Sequence, residues 1–227
     1  MVGQHNLHDK VVKIGAGNLE TDNAIVEPMS TALMSRMAHI YVNVNFKDWS
    51  DWAYNEGNIN PRIMAYLSWR PMHLYSFDPS VTHDTYACPR TWEFASRLLD
   101  QVTTIDPTVS VLLQGILGKG IGVEFCSFLR VFESLPRLED IYANPTGIHL
   151  PTAPDVQYAL VTALSQHLTL ENTVPTIEFI TRFPSEMQVI CIKTAFRSKT
   201  LEERQKISSL PQMREFSAKL AKVIFGN

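Results

Sequence analysis

Three polar residues, Asn18, Arg36 and Arg90, have types and settings that could do chemistry. Asn18 follows residues 11–15, a short, β-branched apolar run of buried-strand type that is punctuated by Gly15 and Gly17. A polar residue just past the carboxyl end of such a strand is where α/β sheets place ligand contacts. The Asn18 amide could orient a water or touch a phosphate, or it could simply cap a turn. Arg36 falls at the C-terminal end of a short helical run, where the helix dipole favours a cation by about 0.3–1 kcal/mol. A capping charge is a sufficient account of it. Arg90 is less comfortable. Pro89 suits the first turn of a helix that continues through Ala95, Leu98 and Leu99, so Arg90 stands at a helix N-terminus. The dipole disfavours a cation there and attracts anions instead. A phosphate or carboxylate would complete the site, and a salt bridge to Glu93 on the next turn would be the ordinary alternative.

Other chemistries find no support in the spacing. Gly118-Lys119-Gly120 superficially resembles a phosphate loop, but that motif needs four residues between its first glycine and Gly-Lys, then Ser or Thr. Only Ile116 and Leu117 separate Gly115 from Gly118, glycine follows the lysine, and no strand precedes it. The segment reads as a helix-to-helix turn. No apolar run of four is followed by Asp-Glu, so an acidic magnesium-holding pair is missing as well. Cys88, Cys126 and Cys191 lie far apart and form no CxxC pair, which argues against a zinc knuckle and a disulfide scaffold. His5 and His8 have metal-like spacing but sit in a polar terminus and read as solvated. No metal site is expected.

The elements that must position these residues are mostly helical. After a polar lead-in over residues 1–10 and the strand at 11–15, residues 21–27 read as a loop. Pro28, Ser30 and Thr31 prepare a short helix through Met34, and residues 37–45 read as a second strand. A helix opens at residue 48, with Asp48 as its cap and Trp49, Trp52 and Ala53 on one face. Asn60-Pro61 starts the next, with Ile63, Met64, Tyr66 and Leu67 on its apolar side. Asp106-Pro107 starts another, over 109–117. A helix over 123–134 and a short helical turn near 135–141 follow. Residues 144–155 hold three prolines and a glycine and make the best linker. Beyond it, 156–168, 175–182, 185–196 and 201–225 read as helices, with Asn172 a candidate cap. Alternating charges at Glu202, Glu203, Arg204 and Lys206, and later Lys219 and Lys222, suit a solvated helix face.

Taken in order, Asn18, Arg36 after Leu-Met-Ser, and the Pro89-Arg90-Thr91-Trp92-Glu93 run resemble the downstream half of an AAA+ ATPase, nearest to the MoxR-like ATPases. The resemblance extends through most of the chain. It implies that Asn18 is the sensor-1 residue and Arg36 the arginine finger that reaches a neighbouring subunit's nucleotide. It implies that Arg90 is the sensor-2 contact to the terminal phosphate from a helical lid. Met37 departs mildly from the family, which usually has Phe there. The implied fold class is mostly α: a small α/β remnant of an AAA+ core (1–47), a helical lid (48–143), then a linker and helical C-terminal extension (144–227). The implied function is ATP-driven protein remodelling of chaperone type. Catalytic roles fall to Asn18 and Arg36 and cofactor binding to Arg90. ATP and magnesium would be held only in a complemented complex, because both nucleotide motifs are missing. Implied partners are the N-terminal AAA+ half or neighbouring ATPase subunits, and a protein client. The alternative is a non-catalytic helical module that docks on an intact ATPase.

Composition bounds the same picture. A chain of 227 residues with 45% hydrophobic residues and a net charge of -3 can build a real core. The charge gives no hint of nucleic acid. No apolar run approaches the roughly 18 residues that span a membrane, so no membrane partner is expected. The polar start lacks a signal-peptide core, and a cytoplasmic protein is the expectation.

Overall fold

The computed structural model describes residues 8, 10–18, 29–81, 85–197 and 199–225. The chain divides into two units, Met1–Val42 with Asp78–Thr82, and Asn43–Phe77 with His83–Asn227.

In the first unit, α1 (Thr31–Met34) forms as the sequence indicates, with the Ser30 hydroxyl accepting the Leu33 N–H at 3.3 Å. The two expected strands do not form. Among the described residues no strand is present. Val12 and Ile14 are 80% and 92% exposed, and Ile40 and Val42 are 85% and 92% exposed. A β-branched apolar run at 11–15 and a loose alternation at 37–45 supply the pattern of a strand, but backbone N–H and C=O groups need a ladder partner to make one. The described residues therefore carry the helical part of the expected fold and not its sheet. The loop expected at residues 21–27 lies outside the described residues, as do residues 1–7 and 9 of the lead-in, His5 included.

In the second unit every regular element among the described residues is a helix, and the helices are built on two apolar clusters. Helix α2 (Phe46–Asn55) starts before Asp48: the Asn45 side chain caps it by accepting the Asp48 N–H at 3.2 Å. Asp48 thus occupies the first turn, where its charge still suits the dipole. Trp49 and Ala53 are buried, and Trp52 sits at the rim. Helix α3 (Pro61–Trp69) buries Ile63 through Leu67 without interruption, as a central helix should. The Tyr66 ring lies 5.0–5.6 Å from those of Trp92, Phe125 and Phe128. A 3-10 turn, Pro71–Leu74, follows.

Helices α4 (Pro89–Leu99), α5 (Pro107–Leu117) and α6 (Lys119–Glu133) complete the first cluster. Asp106 caps α5 by accepting the Val109 N–H at 2.8 Å. The sequence places the start of α6 at residue 123, but the helix begins four residues earlier. Gly118, at φ +85°, reverses the chain within one residue, so no loop is needed. Two helical glycines, Gly120 and Gly122, do not prevent the early start. At Gly122 a Cβ would sit 2.5 Å from the Gln114 Cα, so the α5–α6 approach needs glycine there.

Helices α7 (Leu138–Ala143), α8 (Pro154–Gln166), α9 (Thr173–Ile180), α10 (Ser185–Arg197), α11 (Leu201–Ser209) and α12 (Pro211–Phe225) form around the second cluster. Helix α8 packs on α3, α6 and α10. Its Ala159 belongs to the first cluster, and Leu160, Val161 and Leu164 belong to the second. The expected single helix over 201–225 is two, because Pro211 drives Leu210 to an extended conformation, φ -62° and ψ 133°.

Candidate functional site

The start of α4 is held from several sides. Cys88 is extended and its N–H donates to the Thr91 hydroxyl at 2.8 Å. Pro89 brings no donor that would need a partner. One turn on, Trp92 is fully buried and its Nε1 donates to the His73 carbonyl at 2.9 Å. The strand-like approach to the helix is fixed too. The Ser76 N–H donates to the Ala87 carbonyl at 2.9 Å, and the Thr85 hydroxyl donates to the Ile116 carbonyl at 3.1 Å.

On this rigid turn Arg90 is exposed. Among the described residues it makes no hydrogen bond and no ion pair. The expected alternative, a bridge to Glu93, does not form, because Glu93 pairs with Arg97 instead. That choice follows helix electrostatics. Glu four residues before Arg is the favoured orientation, and Arg97 lies in the last turn, where the dipole welcomes a cation. Arg90 is left as a cation at the positive end of the helix dipole. The arrangement suits a ligand with oxygen anions, which would satisfy both at once.

Asn18 and Arg36 belong to the first unit and Arg90 to the second. Asn18 is exposed, and its side chain has no hydrogen bond among the described residues. Arg36 lies just past α1 and its guanidinium donates to the Ala32 carbonyl. The Ser35 hydroxyl shares that carbonyl at 3.2 Å. In this chain, then, Arg36 closes the end of α1.

No family model matches the chain, and no curated protein or solved structure matches it either. What the protein can do must be read from its own side chains.

Among the described residues no three His, Cys, Asp or Glu side chains could hold a metal ion together. No described helix is long and apolar enough to cross a membrane. Gly118-Lys119-Gly120 is the α5–α6 turn, as its spacing indicates. The strongly perturbed groups lie elsewhere. Burial pushes the Tyr66 phenol well up, with Glu124 adding to it, and pushes the Cys191 thiol up to about 12. Burial lowers Arg197 to about 10. Tyr66 and Cys191 are packing residues whose neutral forms suit their cores.

Two features escaped the sequence reading. Thr91 organises the α4 entry through its hydroxyl, and a Thr three residues after an extended Cys-Pro start was the available signal. Arg204, read as part of a solvated face, turns onto the Lys199 and Arg197 carbonyls at 2.9 and 3.2 Å. Nothing in its immediate sequence announces that.

Proposed function

We propose that this chain is the sensing and lid side of a MoxR-like AAA+ ATPase. It would act in ATP-driven protein remodelling once a complementing chain supplies the phosphate loop and the acidic pair. The observation that carries this reading is Arg90: a cation fixed on the first turn of a helix, exposed, and without a counter-charge among the described residues. Such a residue sits at an electrostatic cost that only an anion relieves. The terminal phosphate of ATP is the anion that the reading assigns to it.

The donor set fits the phosphate end of the nucleotide and not the metal. Arg90 can give a planar, always-charged fork to phosphate oxygens. No group of carboxylates among the described residues suits magnesium, so its ligands would come from the complementing chain. Arg36 would act in trans on a neighbouring subunit's nucleotide. To do so it must leave the Ala32 carbonyl, giving up one exposed hydrogen bond worth about 1 kcal/mol. Asn18 would orient the attacking water. The exposed apolar runs at residues 11–14 and 40–42 fit the same reading, as segments that a missing neighbouring strand would pair and cover. A cytoplasmic setting goes with it.

A second reading is favoured by one observation. The buried residues of both apolar clusters lie within residues 49–216, so the second unit has a core of its own. The chain would then be a non-catalytic module that docks on an intact ATPase and lends it Arg36.

The experiment measures ATP turnover by the chain, by an N-terminal AAA+ half carrying both motifs, and by their mixture. Turnover only in the mixture, with KM for ATP raised tenfold or more by Arg90→Ala, is expected. Robust turnover by this chain alone, or an unchanged KM in the variant, would overturn the proposal. The second reading instead expects an intact ATPase to be stimulated, with Arg36→Ala abolishing the stimulation and leaving the complex formed.

A further inference from the structure

The end of the chain has a charge balance opposite to the whole. Residues 185–227 hold eight lysines and arginines against four acidic residues, while the chain carries -3. Three of these cations, Lys193, Arg197 and Arg204, line one recess. Val189, Ile192, Lys193, Phe196 and Arg197 recur at the spacing of a single face of α10. With Asn55 at the end of α2, Arg204 of α11 and Leu220 of α12, they line an open cavity of 370 Å³. Its apolar floor is formed by Val189, Ile192, Phe196 and Leu220, and among the described residues no carboxylate lines it.

Among the described residues none of Lys193, Arg197 and Arg204 makes an ion pair. The acidic residues of α11 and α12 are engaged elsewhere. Glu202 pairs with Lys206 at 2.6 Å, Glu215 pairs with Lys219 at 2.7 Å, and Glu203 accepts the Thr200 N–H at 2.8 Å. Arg197 lies with its guanidinium carbon 3.8 Å from the centroid of the Tyr54 ring, and its buried Nε has no hydrogen-bond partner among the described residues. Arg204 is fixed by its two bonds to carbonyls at the end of α10, so its charge is placed and not neutralised.

We infer that this recess docks an acidic peptide segment of a protein partner. One apolar side chain would enter between α10 and α12, and flanking carboxylates would meet Lys193, Arg197 and Arg204. Complementarity of charge and of apolar surface selects this occupant. The volume is at the low end of ligand sites and admits one or two side chains. A nucleic-acid surface fits less well. Such surfaces stack bases on exposed aromatic rings along a basic groove. Here the one aromatic lining residue among those described, Phe196, packs against the second apolar cluster. The inference does not depend on the ATPase reading.

The test uses the full chain and a fluorescein-labelled peptide with a Leu-Phe centre flanked on each side by two glutamates, read by anisotropy. Saturable binding at micromolar concentration is expected. Replacing the glutamates by glutamines, or the Leu-Phe centre by serines, should weaken it tenfold or more. Lys193→Glu should do the same, while Lys222→Glu, an equal charge change on α12 outside the lining, should change it less than twofold. Four results would overturn the inference. They are no binding at 100 µM peptide, equal losses in the two variants, displacement by oligo-dT more readily than by unlabelled peptide, or self-association of the chain that Lys193→Glu dissolves.

Discussion

Arg90 gives a prediction in which stability and function move in opposite directions. Helix α4 has eleven residues, with Arg90 in its first turn and Arg97 in its last. A unit charge at an exposed helix end is worth about 0.3–1 kcal/mol against the macrodipole, with a sign set by the end. Arg90 stands at the wrong end, exposed and unpaired among the described residues. Replacing it by glutamine keeps length and helix propensity and removes the conflict. Arg90→Gln should therefore stabilise the free chain by about 0.3–1 kcal/mol, a rise in melting temperature of roughly 1–4 °C for a chain of this size. Arg97→Gln is the mirror control. It removes a favourable end charge and the pair with Glu93, and should destabilise by a similar amount.

The assay is urea unfolding of both variants and the parent at 20 mM and at 1 M salt. Screening shortens to about 3 Å at 1 M, so both effects should shrink there. A stabilised Arg90→Gln at low salt would show that the arginine is held against local energetics, as a residue kept for a ligand would be. Destabilisation by Arg90→Gln would mean that the side chain packs or pairs in a way the geometry does not contain. An effect of equal size at high salt would mean that its origin is not electrostatic. Either result refutes the reasoning.

Further predictions concern the cores. Trp92→Phe keeps most of the apolar contact but leaves the part-buried His73 carbonyl without its donor, so a loss of about 1 kcal/mol is expected in urea unfolding. Gly122→Ala should destabilise by about 1–3 kcal/mol despite better helix propensity, because the new Cβ meets the Gln114 backbone, and thermal unfolding measures it. Cys191 makes stability depend on pH. The folded chain holds its thiol neutral to about 12, while the unfolded chain releases the proton near 9, so unfolding releases a proton between those values. The contribution of Cys191 should be level below pH 9 and fall by about 1.4 kcal/mol per unit above it. Cys191→Ala should be less stable throughout but flatter from pH 9 to 10, as urea midpoints would show.

What could be read in advance was what local chemistry decides. Asn60-Pro61, Cys88-Pro89 and Asp106-Pro107 each mark a helix start within two residues, and all three helices begin there. Asn45 and Asp48 are both capping types three residues apart. Which one caps depends on where the backbone turns helical, and that the sequence leaves open. Gly118 marks a turn in either reading, but its positive φ, which lets α6 start at once, appears only in three dimensions. The unease of Arg90 was legible from Pro89 and helix electrostatics. The commitment of Glu93 to Arg97 required side-chain geometry. The basic recess was not legible at all, since Asn55, Arg204 and Leu220 are brought to α10 by packing.

The two apolar runs of the first unit show why a sheet differs from a helix in this respect. A helix closes its hydrogen bonds within its own segment, so residues 61–69 needed only a cap and an apolar face to be read. A strand closes none of its own. Val12, Ile14, Ile40 and Val42 alternate as strand residues should, yet each stays open to water. Full burial of such a side chain contributes about 1.5–3 kcal/mol, so four together represent a large attraction for any surface that could cover them. Ladder bonds would add direction to that attraction, because only an extended segment can meet the open N–H and C=O groups on its edge. The strand signal in the sequence and the bare segments in the structure are therefore compatible statements. The first describes what these residues favour, and the second what they do without a strand beside them. On the proposed function, that strand belongs to the molecule that also brings the phosphate loop.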